Sequence, residues 1–202
     1  MTGGLAAQRA AAAPEETDGR RRRSQDSRAR IVAAMLELIH GGEIMPVAEQ
    51  VADRAKVGLR TVFRHFDDMD SLYGEMVHVI EAEVLEVVNR PFNGASWRER
   101  VLELVERRGQ AFDRIAPYKR ASDANRHRSP FLAASHTRLA AVSREILRRQ
   151  LPPEVARDQL KFEALDLLLS YEAWNRLRRD QGLTPRRARE VLENAVRRVL
   201  EG

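Results

Sequence analysis

Apolar positions along the chain recur every three to four residues and do not alternate over any long stretch, so the pattern predicts helices throughout. From Ser27 the run Ile31, Val32, Met35, Leu36 and Ile39 marks a first helix, which the pair Gly41-Gly42 ends. Pro46 opens a short second helix with Ala48, Val51, Ala52 and Ala55 on one face. Lys56-Val57-Gly58 interrupts, and Leu59 to Phe66 reads as a third helix with Val62 and Phe66 turned inward. A long helix follows, carrying Leu72, Met76, Val79, Ile80, Val84 and Val87, and stops at Pro91 and the turn Asn93-Gly94. Trp97, Val101, Leu104, Arg108, Phe112 and Ile115 define the next, which is expected to stop before Pro117, with a short helix from Tyr118. Ser129-Pro130 opens another helix through about Gln150, and Pro152-Pro153 breaks it. The last two run from about Glu154 to Asp180 and from Pro185 to Leu200, the second capped by Thr184. The predicted fold class is all-α.

Composition narrows the functional classes. The 202 residues, 43% of them apolar, suffice for a real core in one larger domain or two small ones. With no cysteine, disulfides and thiolate-based metal or nucleophile chemistry are excluded. The absence of an apolar leader and of a membrane-length apolar run points to a cytoplasmic protein with no membrane partner. No cluster of carboxylates and histidines has metal-ligand or catalytic spacing, so neither an enzyme nor a cofactor is expected. Asp67-Asp68-Met69-Asp70 lacks the continuation of a calcium loop and reads as an acidic helix start. Residues 1–23 are too poor in apolar side chains to repay the entropy of ordering, and are expected to form a disordered tail. That tail ends in Arg20-Arg21-Arg22-Arg23, either an arm directed at DNA or a solvated charge run. The net charge of +5 permits a polyanionic partner without demanding one.

The second and third helices have the makings of a helix-turn-helix: small residues where two helices cross, an apolar turn residue to pin them, and an outer face free for the major groove. Ala52, Ala55, Val57 and Val62 fit those roles. Val51-Ala52, Ala55, Val57, Thr61, Phe63 and His65-Phe66, extended by Asp70 and Leu72, resemble the DNA-binding domain of TetR-family repressors over Ser27 to about Leu72. The resemblance implies a helical homodimer that represses transcription, with a helix-turn-helix domain at residues 24–72 and a ligand-binding and dimerisation domain at residues 73–202. It departs from the family pattern at Lys56 in place of the turn glycine, Gly58 in place of a capping serine, Phe63 in place of a tyrosine and Met69 in place of a lysine. Between Arg20 and Phe66, ten Lys or Arg stand against five Asp or Glu, a basic footprint suited to DNA.

The predicted DNA-contacting set is Lys56, Gly58, Leu59, Arg60, Thr61, Phe63, Arg64 and His65. Arg60 and Arg64 lie four apart on one helix face beside Thr61, placed either to grip guanine through its O6 and N7 acceptors or to meet phosphate. His65 is equally readable as a structural residue. For a small-molecule effector the expected lining is Trp97, Phe112, Tyr118, His127, Phe131 and His136, on the middle helices where the family has its pocket. The alternative for such an aromatic stripe is plain core. Leu160, Leu167, Leu168, Tyr171, Trp174 and Leu177, with Val191, Ala195 and Val199, exceed what one helical hairpin can bury. Leu167, Leu168, Tyr171, Trp174, Val191, Ala195 and Val199 are therefore the expected dimer interface, as the resemblance also implies. The functional expectation is a ligand-responsive repressor that binds a palindromic operator as a homodimer and is released by a small molecule. A ligand-blind architectural DNA-binding protein and a helical enzyme are the competing classes.

Overall fold

Helix α1 spans Glu15–His40 and stops where Gly42 takes a positive φ of 104° and the Gly41 and Glu43 amides return to Glu37 and Leu38. The computed structural model describes residues 15–88 and 90–201, so the part of the predicted tail before Glu15 lies outside the described residues. Residues 15–23 are helical, which corrects the expectation of a helix beginning at Ser27. Ser27 does not cap: its hydroxyl donates to the Arg23 carbonyl at 2.9 Å, one turn back inside the helix. The residues before it are mainly Glu, Arg and other helix-tolerant types, with Gly19 the weakest former between Glu15 and Ser27.

Helices α2 (Ala48–Ala55) and α3 (Leu59–His65) follow as the spacing predicts. Helix α4 spans Met69–Val88. Ile31, Met35 and Ile39 of α1, Val51 and Ala52 of α2, and Val62 of α3 close a core with Leu72, Tyr73, Met76 and Val77 of α4. That core does not end at residue 72. Ala121 and Leu132, from further down the chain, are fully enclosed in it.

Helix α5 runs unbroken over Trp97–Asn125, through Pro117, and corrects the expectation of two helices there. An interior proline forfeits one backbone hydrogen bond and costs roughly 3 kcal/mol. Burial on both sides offsets it: Leu104 and Val105 sit in a second core, Ala121 in the first, and the Asn125 amide donates to the Ile44 carbonyl at 3.0 Å. The start is set by Ser96, which accepts from the Glu99 amide while Glu99 accepts from Ser96, a reciprocal capping box. Helix α6 spans Pro130–Gln150, capped by Ser129, whose hydroxyl also donates to Asp70 at the head of α4.

The predicted helix from Glu154 to Asp180 is in fact broken into α7 (Pro153–Arg157), α8 (Gln159–Leu168) and α9 (Tyr171–Asn175), continuing as a π-helical turn over Arg176–Asp180. Asp158 and Ser170 cause the breaks, each accepting from an amide three residues on, Lys161 and Ala173 respectively, at 3.1 Å. Helix α10 spans Pro185–Glu201. The second core joins Val101, Leu104 and Val105 of α5 to Phe162 and Leu165 of α8, Trp174 of α9, and Ala188, Leu192 and Val196 of α10. Gly109 permits the closest approach, since a Cβ there would lie 2.7 Å from the Trp174 ring. The fold is all-α, and among the described residues no helix is long and apolar enough to cross a membrane.

Candidate functional site

The turn between α2 and α3 is built on Lys56, the one described non-glycine residue with a positive φ (φ 54°, ψ 48°). The Lys56 amide donates to the Asp53 carbonyl and the Val57 amide to the Ala52 carbonyl, closing α2 in a Schellman arrangement that leaves the lysine side chain exposed. The left-handed conformation costs a side-chain-bearing residue about 1 kcal/mol. Lys56→Gly should therefore raise the unfolding free energy by up to about 1 kcal/mol in urea titrations. If the ammonium also meets phosphate, the same variant should bind DNA more weakly and with a shallower salt dependence, which titrations at two ionic strengths measure.

Gly58, in an extended conformation, is the N-cap of α3, and no side chain caps its first turn. Arg60 and Arg64 are exposed on the outer face of α3, and Thr61 beside them is half-buried. Among the described residues neither arginine meets a carboxylate, so both guanidinium groups keep their donors free. Phe63 is 48% exposed and Leu59 is exposed beside it, apolar surface that the helix does not use for its own packing. Val62, by contrast, is buried against the first core.

His65 stands apart from the rest of the predicted set. It is half-buried, and its Nε2 is shielded from water with no hydrogen-bond partner. Its carbonyl accepts from Arg28 of α1 at 2.7 Å; Arg28 also pairs with Glu75 of α4 at 2.9 Å and lies over the Phe66 ring at 4.4 Å. One arginine, missed by the sequence analysis, thus ties the end of α3 to α1 and α4. Burial, with Arg64 and Arg28 nearby, holds the His65 pKa below the ordinary histidine value of about 6.5. The folded chain therefore binds fewer protons at this site than the unfolded chain. This cost is absent above about pH 6.5 and grows as pH falls below it. Wild-type stability should drop relative to His65→Gln as pH is lowered from 7.5 to 5, a difference that paired thermal melts would register.

The C-terminal helices hold a cavity of about 70 Å³ between α4, α5 and α6. Val84, Leu104, Ala111, Phe112, Ile115 and Ile146 supply its apolar walls. Arg107, Arg108 and Ser143 are its polar members. Of the six predicted lining residues, Phe112 alone reaches it. Tyr118 packs against the first core with its ring 6.4 Å from His40, Phe131 meets His78 edge-on at 6.0 Å, and Trp97 packs on the second core under Arg98. His127 is exposed in the turn after α5, and His136 lies 3.4 Å from Lys119, beside Asp123. Trp97, Phe112, Tyr118 and Phe131 are half-buried, and packing against a neighbouring helix is not exposure to a void.

Arg108 was in plain view as a charged residue at a core position of α5. Its guanidinium donates to the Leu169 carbonyl, freed where α8 ends, at 2.9 Å, and to the Ser143 carbonyl at 2.6 Å. Burial pulls its pKa down to about 10, which leaves it cationic at neutral pH. Arg107 differs: it pairs with Glu103, donates to the Arg90 and Pro91 carbonyls, and stacks over Phe92 at 4.2 Å.

The predicted dimer residues divide into two groups. Leu167 is 66% exposed, and Leu160, seven residues earlier on α8, is 87% exposed. Val191 of α10 is also exposed, while Leu168, Ala195 and Val199 are half-buried. Tyr171 and Trp174 are buried within the same chain, and this corrects their placement at an interface. The break at Ser170 turns α9 inward, so that Tyr171 meets Phe112 edge-on at 5.6 Å and Trp174 Nε1 donates to Asp113 at 3.0 Å.

The chain has the fold of solved bacterial transcriptional regulators. It superposes on a transcriptional regulator from Rhodococcus sp. Rha1 with a TM-score of 0.66 at 18% identity, covering 87% of this chain and 97% of that one. A TetR-family transcriptional regulator from Mesorhizobium loti MAFF303099 matches with a TM-score of 0.60 at 20% identity, covering 89% of this chain and 97% of that one. No family model matches the sequence, and no curated protein matches it.

Proposed function

We propose that this protein is a TetR-like transcriptional regulator, a repressor that binds a palindromic DNA operator as a homodimer and is released by a small molecule. The observation that carries the reading is the exposed, unpaired face of α3, with Arg60, Arg64 and Thr61 presented behind the Lys56 turn on a packed three-helix platform. A helix so mounted enters the major groove, where arginine reads guanine and cationic neighbours neutralise phosphate. Gly58 lets the backbone amides at the head of α3 approach a phosphate, and Leu59 and Phe63 supply apolar contact to sugars or thymine methyls. Arg28 serves this face by holding the His65 carbonyl at the end of α3.

The exposed Leu160 and Leu167 on α8, with Val191 on α10, support a homodimer, since a single chain leaves this stripe in water. The cavity supports effector response through α4: Val84 lines it, and Leu72 and Met76 of the same helix stand in the DNA-binding core. An effector that binds better to a conformation with altered α4 placement shifts the population away from DNA.

Selection of duplexes from a random pool, followed by sedimentation of the complexes, tests the reading. The expected product is a two-fold symmetric sequence with half-sites about one helical turn or a multiple apart, bound by two chains. Recovery of asymmetric sites alone, or no enrichment over bulk DNA, would refute it.

A further inference from the structure

Cations as buried as Arg108, only 8% exposed, are normally matched by an anion in contact with them. Among the residues whose side chains are described, no carboxylate oxygen lies within 4.0 Å of its guanidinium nitrogens. Asp166, whose charge it feels, is engaged with Arg144 at 2.8 Å. Its two hydrogen bonds run to neutral carbonyls and use two of the five N–H donors of a guanidinium. The side chain also lines the cavity, whose other walls are almost wholly apolar. Arg107, on the same wall, already has its carboxylate in Glu103.

We infer that the cavity between α4, α5 and α6 is a binding site for a short-chain apolar monocarboxylate, whose carboxylate pairs with Arg108 while its hydrocarbon end packs among Val84, Leu104, Ala111, Phe112, Ile115 and Ile146. This deepens the effector reading above and rests on it for its regulatory meaning, though not for the binding itself. Charge selects the head group. A carboxylate offers two acceptor oxygens to a planar donor fork and brings a negative charge to the buried cation, whereas an amide or alcohol brings none. Volume selects the tail. At about 70 Å³ the cavity is half the size of the roughly 150 Å³ void that holds the six carbons of benzene in another protein, so beyond the carboxylate it suits a tail of about three carbons. Val84, Leu104, Ala111, Phe112, Ile115 and Ile146 make up most of the lining, which favours a hydrocarbon tail over a second charged group.

Calorimetric titration of the full chain, without DNA, with propionate, butyrate, propionamide and butyramide tests the assignment. The acids should bind at least about tenfold more tightly than the matching amides, because only the acids neutralise the buried cation. Arg108→Lys should weaken acid binding while keeping the charge, since an ammonium replaces the two-pronged grip with a point contact. Arg108 also holds the Leu169 carbonyl, so an Arg108 variant could fail to fold. Ala111→Met supplies the second route, filling the void without touching the guanidinium, and should abolish acid binding in a chain whose circular dichroism is unchanged. Equal affinity for acids and amides, no heat from either acid, or undiminished acid binding in Ala111→Met would each overturn the assignment. Duplex selection on the same protein is scored separately: symmetric sites recovered without acid binding would sink this inference alone, and acid binding without site-specific DNA binding would sink the regulator reading alone.

Discussion

In the operator-binding homodimer proposed above, replacing Leu160 and Leu167 together with glutamate should yield monomers and lower operator affinity by about a hundredfold to ten-thousandfold. Both side chains stand in water in the single chain, at 87% and 66% exposure, so charging them removes nothing from the protomer's own core. Each protomer keeps its recognition helix intact. What is lost is the second binding event made intramolecular by the dimer, an effective concentration rather than a contact. Sedimentation velocity at micromolar protein, paired with titration of a full and a half operator, separates the two effects. The variant should bind both duplexes alike, at the weak affinity that the wild type shows for the half-site. A variant that stays dimeric with full affinity would place the interface elsewhere.

Trp174→Ala should cost about 3 to 5 kcal/mol of folding stability and leave the association of the remaining folded chains unchanged. The indole is 4% exposed, seated so closely over Gly109 that no side chain fits between α5 and α9, and its N–H is held by Asp113, which Arg178 also contacts at 3.1 Å. Truncation leaves a cavity in the second core and the Asp113 carboxylate short of one donor. Urea denaturation should show the midpoint falling without a change in the concentration dependence of sedimentation. Had Trp174 been an interface residue, the opposite pattern would appear: dissociation first, with the protomer's stability little altered.

Much of the helical layout is legible in the chain. The starts of α6 and α10 follow from Ser129-Pro130 and Thr184-Pro185, because a proline in a first turn behind a capping residue is a local signal that needs no tertiary partner, whereas α2 begins at Ala48, two residues after Pro46. The exposure of Arg60 and Arg64 on one face of α3 was likewise readable, since they share a face by helical geometry alone and Val62 faces the other way. The signals at Asp158 and Ser170 were present too. They were outweighed by an apolar periodicity that runs on through both breaks.

Local sequence determined where helices form and which residues leave water, because hydrogen bonding and periodicity act within a few turns. Only the tertiary structure decided what each buried residue is buried against. Pro117 continues a helix because Ala121 and Asn125 are held beyond it, Trp174 faces its own chain because Ser170 redirects α9, and Tyr118 and Phe131 fill a core while Arg108 lines a void. These outcomes depend on contacts between residues tens of positions apart. Burial follows from hydrophobicity, but the partner that covers a side chain follows from how whole helices pack.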